Sequence, residues 1–350
     1  MVEIHGSRAL AGFMPPHVLE RIMSHGNTRL QQCARMTLQA DAQFRLRNAS
    51  APMARPADSG RPGQAARYIY SAGNQQTLPG NLVREEGAPE SGDVAVDEAY
   101  QWLGATHLFY WQVFERDSID GNGMALLGTV HYGEDYDNAF WNGAQMVFGD
   151  GDGELFNRFT AALDVVAHEL THGVIEREAG LVYADQSGAL NESLADVFGA
   201  MVKQHHFEQD VEEADWLIGE GLLTERVNGR ALRSMAKPGT AYDDPVLGKD
   251  PQPGHMDDFV RTSSDNGGVH INSGIPNRAF YLAATSLGGF AWEQAGPVWF
   301  DALTDPRLQR DGDFAQFARL TVDCAAKRFG NDSDAMRAVK QAWIDVGVLS

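Results

Sequence analysis

The stretch Asp164-Val165-Val166-Ala167-His168-Glu169-Leu170-Thr171-His172 constrains this chain more than any other. Residues four apart stack on one face of a helix. A helix here offers His168 and His172 to one metal ion and sets Glu169 beside them as a candidate base. The competing interpretation is a surface helix with two solvated histidines. A catalytic zinc needs a third protein ligand and an open position for water. Asn191-Glu192-Ser193-Leu194-Ala195-Asp196 supplies a candidate, with Glu192 placed 20 residues after His172. Asp196 lies one turn beyond Glu192 on the same face. There a carboxylate can accept the free N–H of a ligand imidazole and fix its tautomer.

Length and charge bound the rest. A chain of 350 residues is too long for one ordinary core and suggests two domains, with room for an appendage. Cys33 and Cys324 are its only cysteines, which excludes a disulfide scaffold. The net charge of −20 argues against a basic groove for nucleic acid. That charge is uneven: residues 1–66 hold eight Arg, no Lys and four acids, whereas the remainder is strongly acidic. A basic N-terminal segment could dock on an acidic body, or the asymmetry could serve solubility alone. No apolar run approaches the roughly 18 residues of a membrane span. Met1-Val2-Glu3-Ile4-His5-Gly6 lacks a basic region followed by an apolar stretch, so no signal peptide is expected.

Along the chain, Pro15-Pro16 precede an apolar pattern at Val18, Leu19 and Ile22, and a second pattern runs through Leu30, Cys33, Ala34, Thr37 and Leu38. Residues 11–47 therefore read as a compact helical segment. Residues 49–63 are rich in Pro, Gly, Ala and Ser and read as an exposed, protease-prone linker. Strands are expected at residues 67–71, 125–132 and 145–149, and a helix from Asp97 to Glu115. Gly149-Asp150-Gly151-Asp152-Gly153 must turn, and without EF-hand spacing it is a weak candidate for calcium. Further helices are expected at residues 159–177, 188–205, 314–329 and 334–346.

The run from Asp164 to Asp196 resembles the thermolysin family of zinc metalloendopeptidases, with His-Glu-Leu-Thr-His and Asn-Glu-Ser-Leu-Ala-Asp both in place. Asn138-Ala139-Phe140-Trp141-Asn142-Gly143 resembles that family's substrate-binding edge strand. Gly180-Leu181-Val182-Tyr183, Ala231-Leu232-Arg233-Ser234-Met235 and the segment from Asp265 to Gly274 resemble its other motifs. The resemblance covers roughly residues 67–350. It implies an α+β fold of two domains: a β-rich N-terminal domain (67–182) that includes the zinc helix, and a helical C-terminal domain (183–350). It further implies one catalytic zinc on His168, His172 and Glu192, supported by Asn191 and Asp196. Glu169 is then the general base. Tyr183 and His270 donate to the oxyanion, and Asp265 orients His270. Asn138, Ala139 and Arg233 hold the substrate. Phe156, Phe159, Val165, Ile218 and Leu232 fall at positions like those lining the pocket beside zinc, which implies a bulky apolar residue after the cut.

Two departures from the family pattern carry expectations of their own. Relatives bind calcium beside the zinc helix. Here Asp164 and Glu220 remain, while Lys203 and Leu217 replace two acids, so Lys203 is expected to substitute for the double calcium site. The N-terminal segment (1–66, propeptide and linker) is short. Pro15-Pro16-His17-Val18-Leu19-Glu20-Arg21-Ile22 looks like the propeptide of the protealysin-like subgroup. The expected product is a zymogen, with the prosegment acting as inhibitor or as folding aid and Cys33 as a possible thiolate cap on zinc. The expected protein is a monomer acting on peptides and proteins, without nucleic-acid or membrane partners, either cytoplasmic or secreted by a non-classical route. An aminopeptidase is the second enzyme reading. Such enzymes need an acid for the substrate amine, and Asn142-Gly143-Ala144-Gln145-Met146 has no Glu. An inactive zinc module is the third, and the presence of Glu169, Tyr183 and His270 argues against it.

Overall fold

Six short strands form one mixed sheet in a computed structural model that describes residues 11–48 and 61–350. They are β1 (Ala11–Gly12), β2 (Arg67–Ser71), β3 (Asn81–Glu85), β4 (Leu126–Val130), β5 (Ala139–Trp141) and β6 (Met146–Phe148). Their order is β1-β5-β6-β4-β2-β3, with β4 parallel to both of its neighbours and the other pairs antiparallel. All five residues of β4 are buried, as expected of a strand between parallel neighbours, and the hydroxyl of its one polar residue, Thr129, donates to the Pro79 carbonyl. At the far edge β3 leaves Leu82 and Val83 exposed, and without alternation it gave no strand signal.

Helices cover the rest. In the N-terminal segment α1 (Pro16–His25) starts on Pro16 and buries Val18, Leu19 and Ile22, and α2 (Thr28–Asn48) follows. The linker expected at 49–63 lies outside the described residues except for its last three, as does the Met1–Gly6 segment. Helix α3 (Val94–Phe114) begins three residues before the expected Asp97, because the Asp93 carboxylate caps the amides of Ala95 and Val96. Helices α4 (Leu163–Glu178) and α5 (Asp185–His206) carry the two motifs. Helix α4 does not begin at residue 159. The Phe159 amide donates to Gly149, and the Thr160 carbonyl accepts from the Trp102 indole, so tertiary partners take these groups first. Helix α5 begins three residues earlier than the expected 188.

The two helices pack closely. A Cβ on Gly199 would stand 2.8 Å from the Asp164 carbonyl oxygen, so glycine is what lets α5 approach α4. Two short ribbons follow, β7 (Leu217–Ile218) with β8 (Arg233–Ser234) and β9 (Asp243–Asp244) with β10 (Gly248–Lys249). Helices α6 (Asp265–Asn272), α7 (Gly274–Leu287), α8 (Ala295–Leu303), α9 (Phe314–Phe329) and α10 (Asp334–Asp345) complete the C-terminal half. Their core holds Trp299 stacked on Trp343 at 5.9 Å, with Phe317 edge-on to both.

His131 ties the β-rich half together. Its Nδ1 meets Asp150 at 2.8 Å and its Nε2 meets Asp93, the α3 cap, at 3.0 Å. The hydrogen bond to Asp150 raises its pKa above the ordinary value, against the opposing pull of burial. A raised pKa stabilises fully below about 6.5, and the contribution disappears as pH climbs through the folded value. His131→Asn, which tolerates the left-handed backbone there, should therefore lower the urea midpoint at about pH 5.5 and much less at about pH 9.5. An equal loss at both would contradict this assignment.

Candidate metal centre

Helix α4 presents His168 and His172 one turn apart, and the two Nε2 atoms lie 3.0 Å from each other. Glu192 on α5 faces both, one carboxylate oxygen 3.5 Å from each Nε2. The opposite ring nitrogens are committed: His168 Nδ1 meets Asp196 Oδ1 at 2.8 Å, and His172 Nδ1 meets Asn191 Oδ1 at 2.8 Å. Both partners are acceptors, so each Nδ1 carries a hydrogen and each Nε2 is the ring nitrogen that faces inward. Both histidines are buried, as is Glu192.

The remaining charges describe a pocket built for a cation. Both Glu169 oxygens and Glu192 Oε2 are buried without a hydrogen-bond partner. Among the described residues, His168, Glu169 and His172 form one group whose donor atoms all lie within 4.8 Å. Burial holds the Glu169 carboxyl up at about 8, with Glu192 adding to it and His168 opposing. Burial would push His168 down, yet Asp196 and Glu192 raise it to about 9, whereas burial takes His172 down to about 4. Two imidazole nitrogens and a carboxylate, backed by fixed acceptors, suit zinc.

Asp196 organises the wall behind His168. Its two oxygens accept from His168, from Arg233 Nε and Nη2 at 2.8 Å each, and from Asn277 at 2.9 Å. Asn277 had no sequence signal. On the other side Asp265 Oδ1 lies 2.6 Å from His270 Nδ1. Burial opposes the His270 charge, but Asp265 and Glu192 hold its pKa at about 9. The Tyr183 hydroxyl donates to Glu192 and lies 3.3 Å from His270 Nε2. Phe156, Phe159, Val165, Ile218 and Leu232 are all buried in one core cluster with Phe13, whose ring stands edge-on to His168 at 5.2 Å.

Lys203 also finds its expected neighbours, with Nζ 3.5 Å from Asp164 and 3.6 Å from Glu220. Its shortest ion pair, 2.7 Å, is to Asp215, which sequence spacing did not single out. In the turn at 149–153, Asp152 Oδ1 accepts from the amides of Glu154, Leu155 and Phe156, and Asp150 is paired with His131. Cys33 is not placed to cap a metal. Its thiol points to Asp135 at 3.6 Å, and burial pushes it up to about 12.

A different part of the N-terminal segment enters the cleft. β1 adds to β5, with Gly12 opposite Phe140. The Phe13 amide donates to the Ala139 carbonyl at 2.9 Å, and the Met14 amide to Asn138 Oδ1 at 2.8 Å. Asp41 of α2 accepts from the other end of Asn138 at 3.1 Å. The only sequence hint was position: Phe13 stands two residues before the proline pair.

Comparisons with known proteins bear on the family and the fold. Residues 24–176 match the model of the thermolysin metallopeptidase catalytic domain, and residues 179–348 match that of its alpha-helical domain. An extracellular metalloprotease of Pectobacterium carotovorum subsp. carotovorum is 57% identical over 342 residues, covering 98% of this chain and 97% of the relative. Protease PrtS of a Photorhabdus strain is 50% identical, covering 96% and 92%. The solved precursor of protealysin, a metalloproteinase from Serratia proteamaculans, superposes with a TM-score of 0.89 at 56% identity, covering 97% of this chain and 99% of that one.

Asp196→Asn keeps the shape but removes the charge that His168 and Arg233 share. Zinc affinity, measured by competition with a chelating dye, should fall roughly 10- to 100-fold. Unchanged affinity would show that Asp196 does not support the ligand.

Proposed function

The chain belongs to the thermolysin family of metallopeptidases, and on that footing we propose how its residues divide the work of cutting a peptide bond. It is a zinc metalloendopeptidase made with a propeptide. His168, His172 and Glu192 are the proposed zinc ligands. Zinc, when bound there, brings a coordinated water toward neutral pKa and polarises the substrate carbonyl.

Glu169 takes the proton of the attacking water and delivers it to the leaving amine. Charge then gathers on the former carbonyl oxygen. His270, with one nitrogen on Asp265, and Tyr183 donate to that oxygen, and losing either should cost on the order of 100-fold in rate. Asn138 and the Ala139 backbone hold the substrate as an added strand, and Arg233 takes a carbonyl on the leaving side. Phe156, Phe159, Val165, Ile218 and Leu232 supply the apolar surface that selects a bulky residue after the cut. The observation that carries this reading is the convergence of both Nε2 atoms and Glu192 above a buried, unpartnered Glu169.

We divide the mature enzyme at residues 67–182 and 183–350, with 1–66 as propeptide and linker. The prosegment lies along β5, so we assign it an inhibitory role besides any part in folding. Among the described residues no helix is long and apolar enough to cross a membrane. The Pectobacterium relative is named as extracellular, and we place the action of this enzyme outside the cell. Mass spectrometry of the N-terminus in cells and in medium checks both maturation and location. Finally, Lys203 takes the place of the double calcium site.

Three outcomes are expected. Glu169→Gln should abolish cleavage of a blocked peptide, with one zinc per chain retained by metal analysis; undiminished cleavage would sink the mechanism. Lys203→Met should cost about 3–5 kcal/mol of stability in denaturant titration, because it strands the buried Asp164 charge. The unaltered protein should bind no calcium pair, and two ions per chain by elemental analysis would refute the substitution.

A further inference from the structure

We propose that the Gly12–Phe13 peptide bond is the chain's own first cleavage site. This rests on the peptidase reading above and extends it to a substrate carried in the same chain.

The bond is held at both ends by the groups assigned to substrate. The Gly12 carbonyl oxygen lies 2.8 Å from His270 Nε2. His270 Nδ1 faces Asp265, so both ring nitrogens meet acceptors and the ring donates to Gly12 as an imidazolium. One residue on, the Phe13 amide donates to Ala139, and the Phe13 carbonyl accepts from Arg233 Nη1 at 3.2 Å. The Met14 amide meets Asn138. Four consecutive backbone groups thus sit on four proposed substrate contacts, with the bond between the oxyanion donor His270 and the anchor Arg233.

The side chains fit the same register. Phe13 is 0% exposed, its ring between His168 and the Arg233 guanidinium, whose carbon is 4.3 Å from the ring centroid. It is a bulky apolar residue on the leaving side, as the expected preference requires. Gly12 suits its own position: a Cβ there would meet Asn138 Nδ2 at 2.9 Å, and Asp41 holds that amide in place. Pro15 and α1 then carry the chain away, with Val18, Leu19 and Ile22 buried.

The step consumes one water. Its oxygen joins the Gly12 carbonyl carbon, and the bond to the Phe13 nitrogen breaks. Glu169 moves the water's proton to that nitrogen. The products are a Gly12 carboxylate on a peptide of residues 1–12 and a Phe13 ammonium on the remaining chain. Helices α1 and α2 keep their own contacts, so this cut precedes release of the prosegment.

The test uses the full chain. Intact-mass spectrometry after zinc loading should show loss of residues 1–12 and a new N-terminus at Phe13, at a rate independent of protein concentration. Phe13→Leu should cut within about ten-fold of that rate, whereas Phe13→Asp should cut at least about ten-fold more slowly. In the chelator-treated chain carrying Glu169→Gln, the Phe13 and Met14 amides should be protected from hydrogen exchange, and Phe13→Asp should remove that protection. Three results overturn the proposal: a retained bond in a preparation whose mature form cleaves a blocked peptide, a rate that rises with concentration, or unprotected amides. The first leaves the peptidase reading standing. A preparation that cleaves no peptide defeats that reading, and this proposal with it.

Discussion

One buried carboxylate holds the centre together. Asp196 accepts hydrogen bonds from α4, β8 and α7 while belonging to α5, and it is wholly buried. Burial alone would raise its pKa, yet Arg233 and His168 hold it below the ordinary carboxylate range. An ion in such a place is tolerated only when every oxygen is satisfied, and here both are. The consequence is geometric. His168 cannot rotate without losing Asp196, and Arg233 cannot reach elsewhere without stranding it. The proposed metal ligand and the proposed substrate anchor are therefore positioned by one group.

The N-terminal segment is held by a different balance. The sequence left open whether a basic segment is drawn to an acidic body or the charge asymmetry serves solubility alone. Arg29 does pair with Asp135 at 3.1 Å, but half of its side chain is in water, where such a pair contributes little. Phe13, Met14, Val18, Leu19, Ile22 and Leu30 are all buried. At ~1.5–3 kcal/mol per large apolar side chain, their gross contribution is on the order of 10 kcal/mol, well above any surface pair. Apolar burial fixes the segment.

Much of the site was legible in the sequence because helical spacing places side chains directly. His168 and His172 share a face by periodicity, and Glu192 and Asp196 do so one helix later. What spacing does not encode is contact between segments remote in the chain. Asp215 and Asn277 come to Lys203 and Asp196 through tertiary packing alone. Phe13 escaped notice for the same reason, since its role depends on pairing with residues more than a hundred positions away. In the fold, the largely apolar strand β4 was readable. Strand β3 was not, because exposed Leu82 and Val83 hide any alternation.

The pairing of β1 with β5 has a meaning beyond occupancy. A sheet's outermost strand presents a row of free amides and carbonyls to whatever extended chain comes near, including another copy of itself. While β1 is in place, that row is closed by a segment of the same molecule. In the folded precursor, the edge proposed to accept substrate strands is therefore not open to other chains.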